Sequence, residues 1–95
     1  MIEYIDTTIK ATAGEDLVIV ARGVDAFGDV LPGCSFNVFD GDNHLFMIEG
    51  ILNADNIWEF YVPAEATKNL KGRYHYCMCD ENHNTLCFKC PIYFI

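Results

Sequence analysis

Apolar and polar residues alternate along most of this chain, and that pattern is typical of β-strands with two different faces. The segment CSFNVFD at residues 34–40 shows it most clearly, because Cys34, Phe36 and Val38 fall on one face. A more continuous apolar run, DLVIVAR, also predicts a strand, since it is short and rich in β-branched residues. Together these patterns predict strands at residues 2–11, 16–22, 34–40, 44–50, 57–62, 73–79 and 86–95.

Turn residues separate the predicted strands. DGDN at residues 40–43 is a hairpin signal, because an Asp-Gly pair tolerates the positive φ angles of tight turns. PAEATKNL at residues 63–70 predicts one or two helical turns, which end at Gly72. The sequence therefore predicts one all-β domain over residues 1–95, an antiparallel sandwich of seven or eight strands. The first strand and the final PIYFI segment are expected at sheet edges.

Composition and charge narrow the possible partners. Hydrophobic residues make up 52% of the chain, which is a globular composition, and the net charge is −8. So acidic a chain disfavours contact with nucleic acid or with an anionic membrane. The first ten residues lack the basic and apolar regions of a signal peptide, and no apolar run is long enough to span a membrane. We therefore expect a cytosolic origin with reduced thiols.

The residues that commonly support catalysis are sparse. The glycines are scattered rather than grouped in a phosphate-binding loop, and the single serine, Ser35, lacks the flanking residues of a nucleophile elbow. His75 and Cys77 lie two apart on one predicted strand, where side chains project in parallel instead of forming a nucleophile–base pair. The sequence predicts no enzyme and no cofactor.

Four of the five cysteines lie in CMCDENHNTLCFKC at residues 77–90. Alternation predicts a hairpin with Cys90 facing the core and an outer row of His75, Cys77, Cys79, Cys87 and Lys89. The candidates for interaction on this outer face are Cys77, Cys79, Cys87 and Tyr93. Three states of these cysteines are open. They are free thiols that act as small apolar residues, which the spacing favours; a Cys79–Cys87 disulfide; or a zinc site with Cys77, Cys79, Cys87 and His83 as candidate ligands.

Several short motifs occur in a recognisable order. Gly14 and Asp16 precede the second strand, Asp25 and Gly28 form a turn, and PAEAT with Leu70 precedes GRYHY at residues 72–76. In this order the chain resembles the immunoglobulin-like domains of tailed-phage virion proteins, and it is similar to the N-terminal domain of phage baseplate upper proteins. The resemblance covers nearly the whole chain, but the cysteine-rich hairpin departs from the family pattern.

The resemblance implies an immunoglobulin-like sandwich. In such a domain Tyr74 or Tyr76 would take the place of the tyrosine near the start of strand F, whose hydroxyl bonds back to the preceding corner. Trp58 and Gly72 are expected to have structural roles beside these tyrosines. Trp58 lies on the strand before the crossover, and no cysteine pair links the second and sixth strands, so an antibody-type disulfide domain is not expected.

The resemblance also implies a function. It suggests a non-enzymatic structural subunit of a phage particle, made in the bacterial host cytoplasm, that binds other virion proteins or copies of itself. A tail or baseplate adaptor and a head-decoration or fibre-attachment protein are both compatible with it. Two alternatives remain: a small acidic phage protein that inhibits a host defence or nucleic-acid-handling protein, and a zinc-binding module built on the cysteine hairpin.

Overall fold

The computed structural model describes residues 8–22, 27–82 and 85–95, with side chains for all of these except residues 85–89. Within these residues the chain forms eight strands and one helical turn, which confirms the all-β prediction. The elements are β1 (Ile9–Ala11), β2 (Leu17–Ala21), β3 (Cys34–Asp40), β4 (Asn43–Glu49), β5 (Ile51–Leu52), β6 (Trp58–Val62), α1 (Ala64–Thr67), β7 (Gly72–Asp80) and β8 (Thr85–Phe94).

The strands form two sheets. The larger has the order β1-β8-β7-β3-β4 and the smaller has the order β2-β6-β5. In the immunoglobulin scheme, β2-β6-β5 correspond to strands B-E-D, and β8-β7-β3-β4 correspond to G-F-C-C′. All neighbouring strands are antiparallel except β1 and β8, which run parallel with Ile9 opposite Ile92. The predicted two-sheet β-sandwich is therefore present, with one parallel pair that the sequence pattern did not predict.

Aromatic rings join the two sheets at their centre. Phe36 on β3 is fully buried, and its ring centroid lies 5.2 Å from that of Tyr76 on β7 and 5.9 Å from that of Phe60 on β6. Because Phe60 belongs to the smaller sheet, Phe36 connects the sheets directly. The buried hydrophobic residues around these three rings are Ala11, Ile19, Cys34, Val38, Trp58, Val62, Cys90, Ile92 and Phe94.

The turn before β2 holds the helical turn in place. The Asp16 carboxylate accepts a hydrogen bond from the Ala64 backbone N–H at 2.9 Å, which supplies the helix start with the side-chain acceptor that Pro63 lacks. Nearby, the buried Thr67 hydroxyl accepts a hydrogen bond from the Gly14 N–H at 3.1 Å. The two motifs that precede β2 and β7 in the sequence therefore bind each other across the fold.

The corner that leads into β7 depends on Gly72 and Tyr74. Gly72 has a φ of 94°, a conformation that residues with a Cβ rarely adopt. The Tyr74 hydroxyl accepts a hydrogen bond from the Lys71 backbone N–H at 3.2 Å, so this side chain bonds back to the corner. Tyr76 instead lies in the core against Phe36.

Strand β5 is an element that the sequence pattern did not reveal. The chain leaves β4 in the larger sheet and enters β5 in the smaller sheet at Gly50. A Cβ at this position would lie 2.8 Å from ring atoms of both Phe60 and Trp58, so only glycine fits where the chain changes sheets. Trp58 packs into the core here, at 6% exposure. A two-residue strand carries too little alternation to be recognised in sequence.

One predicted edge is wrong. The final strand β8 lies between β1 and β7, so the PIYFI segment is not an edge of the larger sheet. The parallel pairing of β1 with residues 92–94 places it there, and parallel partners leave no turn signal in the sequence. The prediction for residues 2–7 of the first strand lies outside the described residues. In the part of the chain that is described, no helix is long and apolar enough to cross a membrane.

Replacing Phe36 by alanine should lower the free energy of unfolding by about 3 to 5 kcal/mol, since it removes the ring that joins the sheets and leaves a cavity. Urea denaturation measures this change. Phe36→Leu should cost less, and it keeps the comparison possible if the alanine variant does not fold. Phe27→Ala is the matched control, because Phe27 is 90% exposed and its loss should change the free energy of unfolding by less than about 0.5 kcal/mol. Equal effects at Phe36 and Phe27 would contradict this core assignment.

Removing the Tyr74 hydroxyl should lower the free energy of unfolding by about 1 kcal/mol, because the Lys71 N–H loses its acceptor at the corner. Tyr74→Phe and Tyr61→Phe form a matched pair for thermal or urea denaturation. The Tyr61 hydroxyl bonds only to an exposed carboxylate, so its removal should have an effect below about 0.5 kcal/mol. A loss of stability in Tyr61→Phe as large as that in Tyr74→Phe would argue against the corner role.

Candidate protein-binding surface

The cysteine hairpin has a different register from the one that alternation predicts. Cys79 lies opposite Thr85, and Cys87 lies opposite Met78. Two irregularities, between Tyr76 and Met78 and between Met78 and Cys79, place extra residues on β8 and shift the pairing. The predicted alignment of Cys79 with Cys87 is therefore wrong, since alternation alone cannot reveal a bulge.

The cysteines are not all in one chemical state. Cys34, Cys77 and Cys79 are thiols, so the predicted disulfide of Cys79 is not formed. Cys90 is disulfide-bonded and buried at 2% exposure, facing the core. The favoured prediction of thiols throughout the hairpin is thus wrong for Cys90. The side chains of Cys87 and His83, two of the zinc candidates, lie outside those that the structure describes.

The outer face of the larger sheet has a polar layer that the chain itself buries. Ser35 and Asn37 on β3 and Cys77 on β7 are between 5% and 9% exposed, although they point away from the core. The Asn37 amide donates a hydrogen bond to the Ser35 hydroxyl at 3.2 Å, and its oxygen accepts one from His44 Nε2 at 3.1 Å. Cys77 lies on the outer face, as alternation predicts, but neighbouring side chains of the same chain already shield it from solvent.

Aromatic packing fixes one end of this layer. The Phe39 ring stacks on His75 at 5.8 Å and meets His44 edge-on at 5.0 Å. Tyr93, predicted to belong with the cysteines, lies opposite Arg73 beyond His75, so the structure does not bring it against Cys79. These contacts make the layer a packed surface that stabilises β3, β4 and β7.

The polar layer does not have the arrangement of a catalytic site. The Ser35 hydroxyl accepts from Asn37, and it has no histidine base beside it among the described contacts. Among the side chains that the structure describes, no group of three or more His, Cys, Asp or Glu residues is placed to hold a metal ion. Zinc binding through Cys77 and Cys79 with partners outside these side chains stays a prediction.

Cys34 is a thiol of low reactivity at neutral pH. Burial raises its pKa to about 11, and the negative charges of Cys79 and Asp80 add to the effect, while a hydrogen bond from the Ser35 backbone opposes it. Since the thiolate is the reactive form, Cys34 stays protonated and inert near pH 7.

The most exposed apolar strand residues, among those that the structure describes, lie on the smaller sheet. Val18 and Val20 on β2, Ile51 on β5 and Tyr61 on β6 are between 50% and 61% exposed. Register places Val18 opposite Tyr61, and places Glu59 between Val20 and Ile51, so these side chains form one continuous face. We call it the β2–β6–β5 face. Four apolar or aromatic side chains that are at least half exposed on neighbouring strands are typical of a protein-binding surface.

One carboxylate lies at the centre of the β2–β6–β5 face. Glu59 Oε1 accepts a hydrogen bond from the Tyr61 hydroxyl at 2.9 Å, and this bond raises the pKa of Tyr61. The carboxylate adds a charged group to an otherwise apolar face. A partner that covers it must supply a donor, or else leave a desolvated charge.

Sequence reasoning missed this face, although a signal for it is present. In an ordinary exposed strand the residues between the core positions are polar, but the positions between Leu17, Ile19 and Ala21 are both valine. By its length and β-branched composition alone, the run indicates a strand. When a strand packs against the core with only one of its faces, apolar residues on its other face indicate an exposed apolar surface.

A second surface feature lies at one end of the sandwich. A cleft of about 330 Å³ is lined by Cys34, Gly50 and Trp58, together with the carboxylates of Glu49, Asp80 and Glu81. The indole N–H of Trp58 is buried with no hydrogen-bond partner within the described part of the chain. The end of the sandwich that holds this cleft is therefore acidic.

No protein-family model matches this sequence, and no curated protein sequence matches it.

Alkylation by iodoacetamide at about pH 8 should modify Cys79 first among the thiols, because Cys34 and Cys77 are buried and Cys34 is protonated. Labelling of Cys34 should rise only as the pH approaches 11, and peptide mass spectrometry measures each site. The same labelling in urea gives the control in which burial is removed. Rapid modification of Cys34 in the native protein near pH 8 would contradict its raised pKa.

Proposed function

We propose that this chain is a non-enzymatic structural subunit that binds other proteins, in the setting that its motif resemblance implies, a tailed-phage particle. The observation that carries the proposal is the β2–β6–β5 face, where Val18, Val20, Ile51 and Tyr61 are at least half exposed. A rigid sandwich that presents such a face is suited to assembly, because little conformational entropy is lost on binding. The phage setting is supported by the order of the motifs alone.

The remaining chemistry also favours a binding role. The serine, histidine and asparagine side chains of the polar layer bond to one another and stabilise strand packing. Cys34 is held in its unreactive form, and Cys77 is shielded from solvent. These described side chains therefore support the structure of the sheet.

The chemistry of the face indicates what its partner presents. Apolar side chains would cover the two valines and Ile51, and a lysine or arginine would meet the carboxylate of Glu59. The rim of such an interface would be basic, since the chain has a net charge of −8.

Inhibition of a host protein is the second candidate function. It is favoured by the three carboxylates of Glu49, Asp80 and Glu81, which gather at one cleft. A basic surface on a nucleic-acid-handling protein would complement this end of the sandwich. Binding there would leave the β2–β6–β5 face exposed, so the two candidates use different surfaces.

Purified particles of the virus that encodes this chain should contain it at a fixed copy number, and quantitative mass spectrometry measures that number. Variants supplied with a tag should compete with the native chain for incorporation. Tyr61→Ala and Ile51→Ala should be incorporated about tenfold less, because they remove apolar contacts at the face.

Leu45→Ala and Met47→Ala serve as matched controls for incorporation, because both side chains are exposed on β4 of the other sheet. They should be incorporated as well as the native chain. Absence of the chain from particles would refute the virion role. Equal losses in the β4 variants would show that another face carries the binding.

A further inference from the structure

The edges of the two sheets differ in how well they are protected from pairing with another strand. Unpaired edge strands invite association, and proteins usually block them with short length, charge, proline or a bulge. Within the described residues, β1 is three residues long and carries exposed Lys10, and β5 has only two residues. Strand β4 contains an irregularity opposite Val38 and Phe39, and ends at Glu49. These three edges are therefore poorly suited to pairing.

Strand β2 is the exception. Its five residues, LVIVA, include no charge and no proline, and it pairs with β6 in a continuous register from Leu17 to Ala21. It forms one edge of the smaller sheet in the described part of the chain. A regular apolar strand at an edge is the geometry that accepts one more strand through backbone hydrogen bonds.

The charges that flank β2 identify the partner strand. Asp16 precedes the strand and Arg22 follows it, and both are exposed. We propose that β2 pairs antiparallel with β2 of a second copy of this chain, about a two-fold axis through Ile19. This inference rests on the proposed protein-binding role and deepens it by naming one partner of the chain, which pairs at the β2 edge and does not cover Glu59.

The two-fold arrangement is self-complementary at every position of the strand. Antiparallel pairing about Ile19 sets each residue opposite the one equally far on the other side of the axis. Val18 then meets Val20 of the second copy, and Asp16 meets Arg22. Two ion pairs therefore close the ends of the ladder, whereas a parallel alignment would set like charges together.

The same arrangement avoids the main electrostatic penalty of self-association. If the two copies met face to face across the β2–β6–β5 face, the negatively charged Glu59 carboxylates would approach each other, and the Tyr61 hydroxyl that bonds to each of them carries no positive charge to offset the repulsion. Edge pairing keeps each Glu59 one strand back from the new ladder, because β6 lies behind β2. The net charge of −8 on each copy is screened beyond about 8 Å at physiological salt, while the closer Asp16–Arg22 contacts are screened less.

Sedimentation of the full chain over a concentration series at about 0.15 M salt tests the pairing, and it requires no particle or other partner. The native chain should show a reversible monomer–dimer equilibrium. Arg22→Glu should raise the dimer dissociation constant at least tenfold, because it places like charges opposite Asp16. Val18→Lys should do the same, since lysine protects an edge strand.

Two variants separate pairing from folding. Asp16→Asn keeps an oxygen that accepts the hydrogen bond from Ala64 but removes the charge, so it should weaken the dimer while thermal unfolding stays near that of the native chain. Met47→Lys makes a matched apolar-to-lysine change on the edge strand β4, at similar exposure to Val18, and should leave the dimer unchanged.

Register is tested by cysteine cross-linking. A mixture of Val18→Cys and Val20→Cys chains should form the mixed disulfide on mild oxidation, and Val18→Cys alone should form much less, because cysteine would then face valine.

A strictly monomeric native chain would overturn the proposal, as would a dimer that resists Arg22→Glu and Val18→Lys or one that Met47→Lys disrupts. Protection of all β2 amides from hydrogen exchange in the dilute monomer would also overturn it, since another segment of the same chain would then occupy the edge.

The particle assay and the sedimentation experiment test the two proposals separately, so that either proposal can be refuted while the other holds. A chain that is absent from particles but forms the β2-paired dimer would lose its virion role and keep the self-association. A chain that enters particles as a monomer would keep the proposed role and lose this partner.

Discussion

The contact of Phe36 with Phe60 and Tyr76 is the constraint on which the rest of the structure depends. A sandwich is stable only when its two sheets bury a shared apolar layer, and here one ring on β3 touches both sheets. Once Phe36 faces inward, alternation sends its neighbours Ser35 and Asn37 outward. The polar layer on the larger sheet is therefore a direct consequence of the core contact, and its role is structural.

Burial and hydrogen bonding explain why several polar and thiol side chains of the described residues serve structure and not reactivity. Asn37 bonds on one side to Ser35 and on the other to His44, and the same layer shields Cys77. Cys34 lies near Asp80, and its burial disfavours the thiolate. Cys34, Asn37 and Cys77 therefore contribute to packing, while the most exposed apolar strand residues among those described lie on the smaller sheet.

Strands with strong alternation could be predicted from the sequence, and features that depend on partners could not. The bounds of β3 follow directly from CSFNVFD, because the alternation is unbroken. The bulges on β8 keep the apolar pattern but change which residues lie opposite each other. The residue opposite Cys79 therefore could not be predicted from alternation. The position of β8 inside the larger sheet could not be predicted either, since it depends on a parallel contact with β1. The candidate surface was missed because the valines of β2 fit a buried strand equally well.

The parallel pairing of β1 with β8 has a mechanical consequence. Ile95 donates a backbone hydrogen bond to the Ala11 carbonyl and accepts one from the Ala13 N–H, so the two strands stay bonded to the last residue. Because β1 and β8 are parallel, a force that pulls β1 toward its N-terminal end and β8 toward its C-terminal end acts along the two strands in opposite directions. It loads the bonds between them together, in shear, instead of breaking them one after another. A domain joined to neighbours at these two strands is thus built to resist tension.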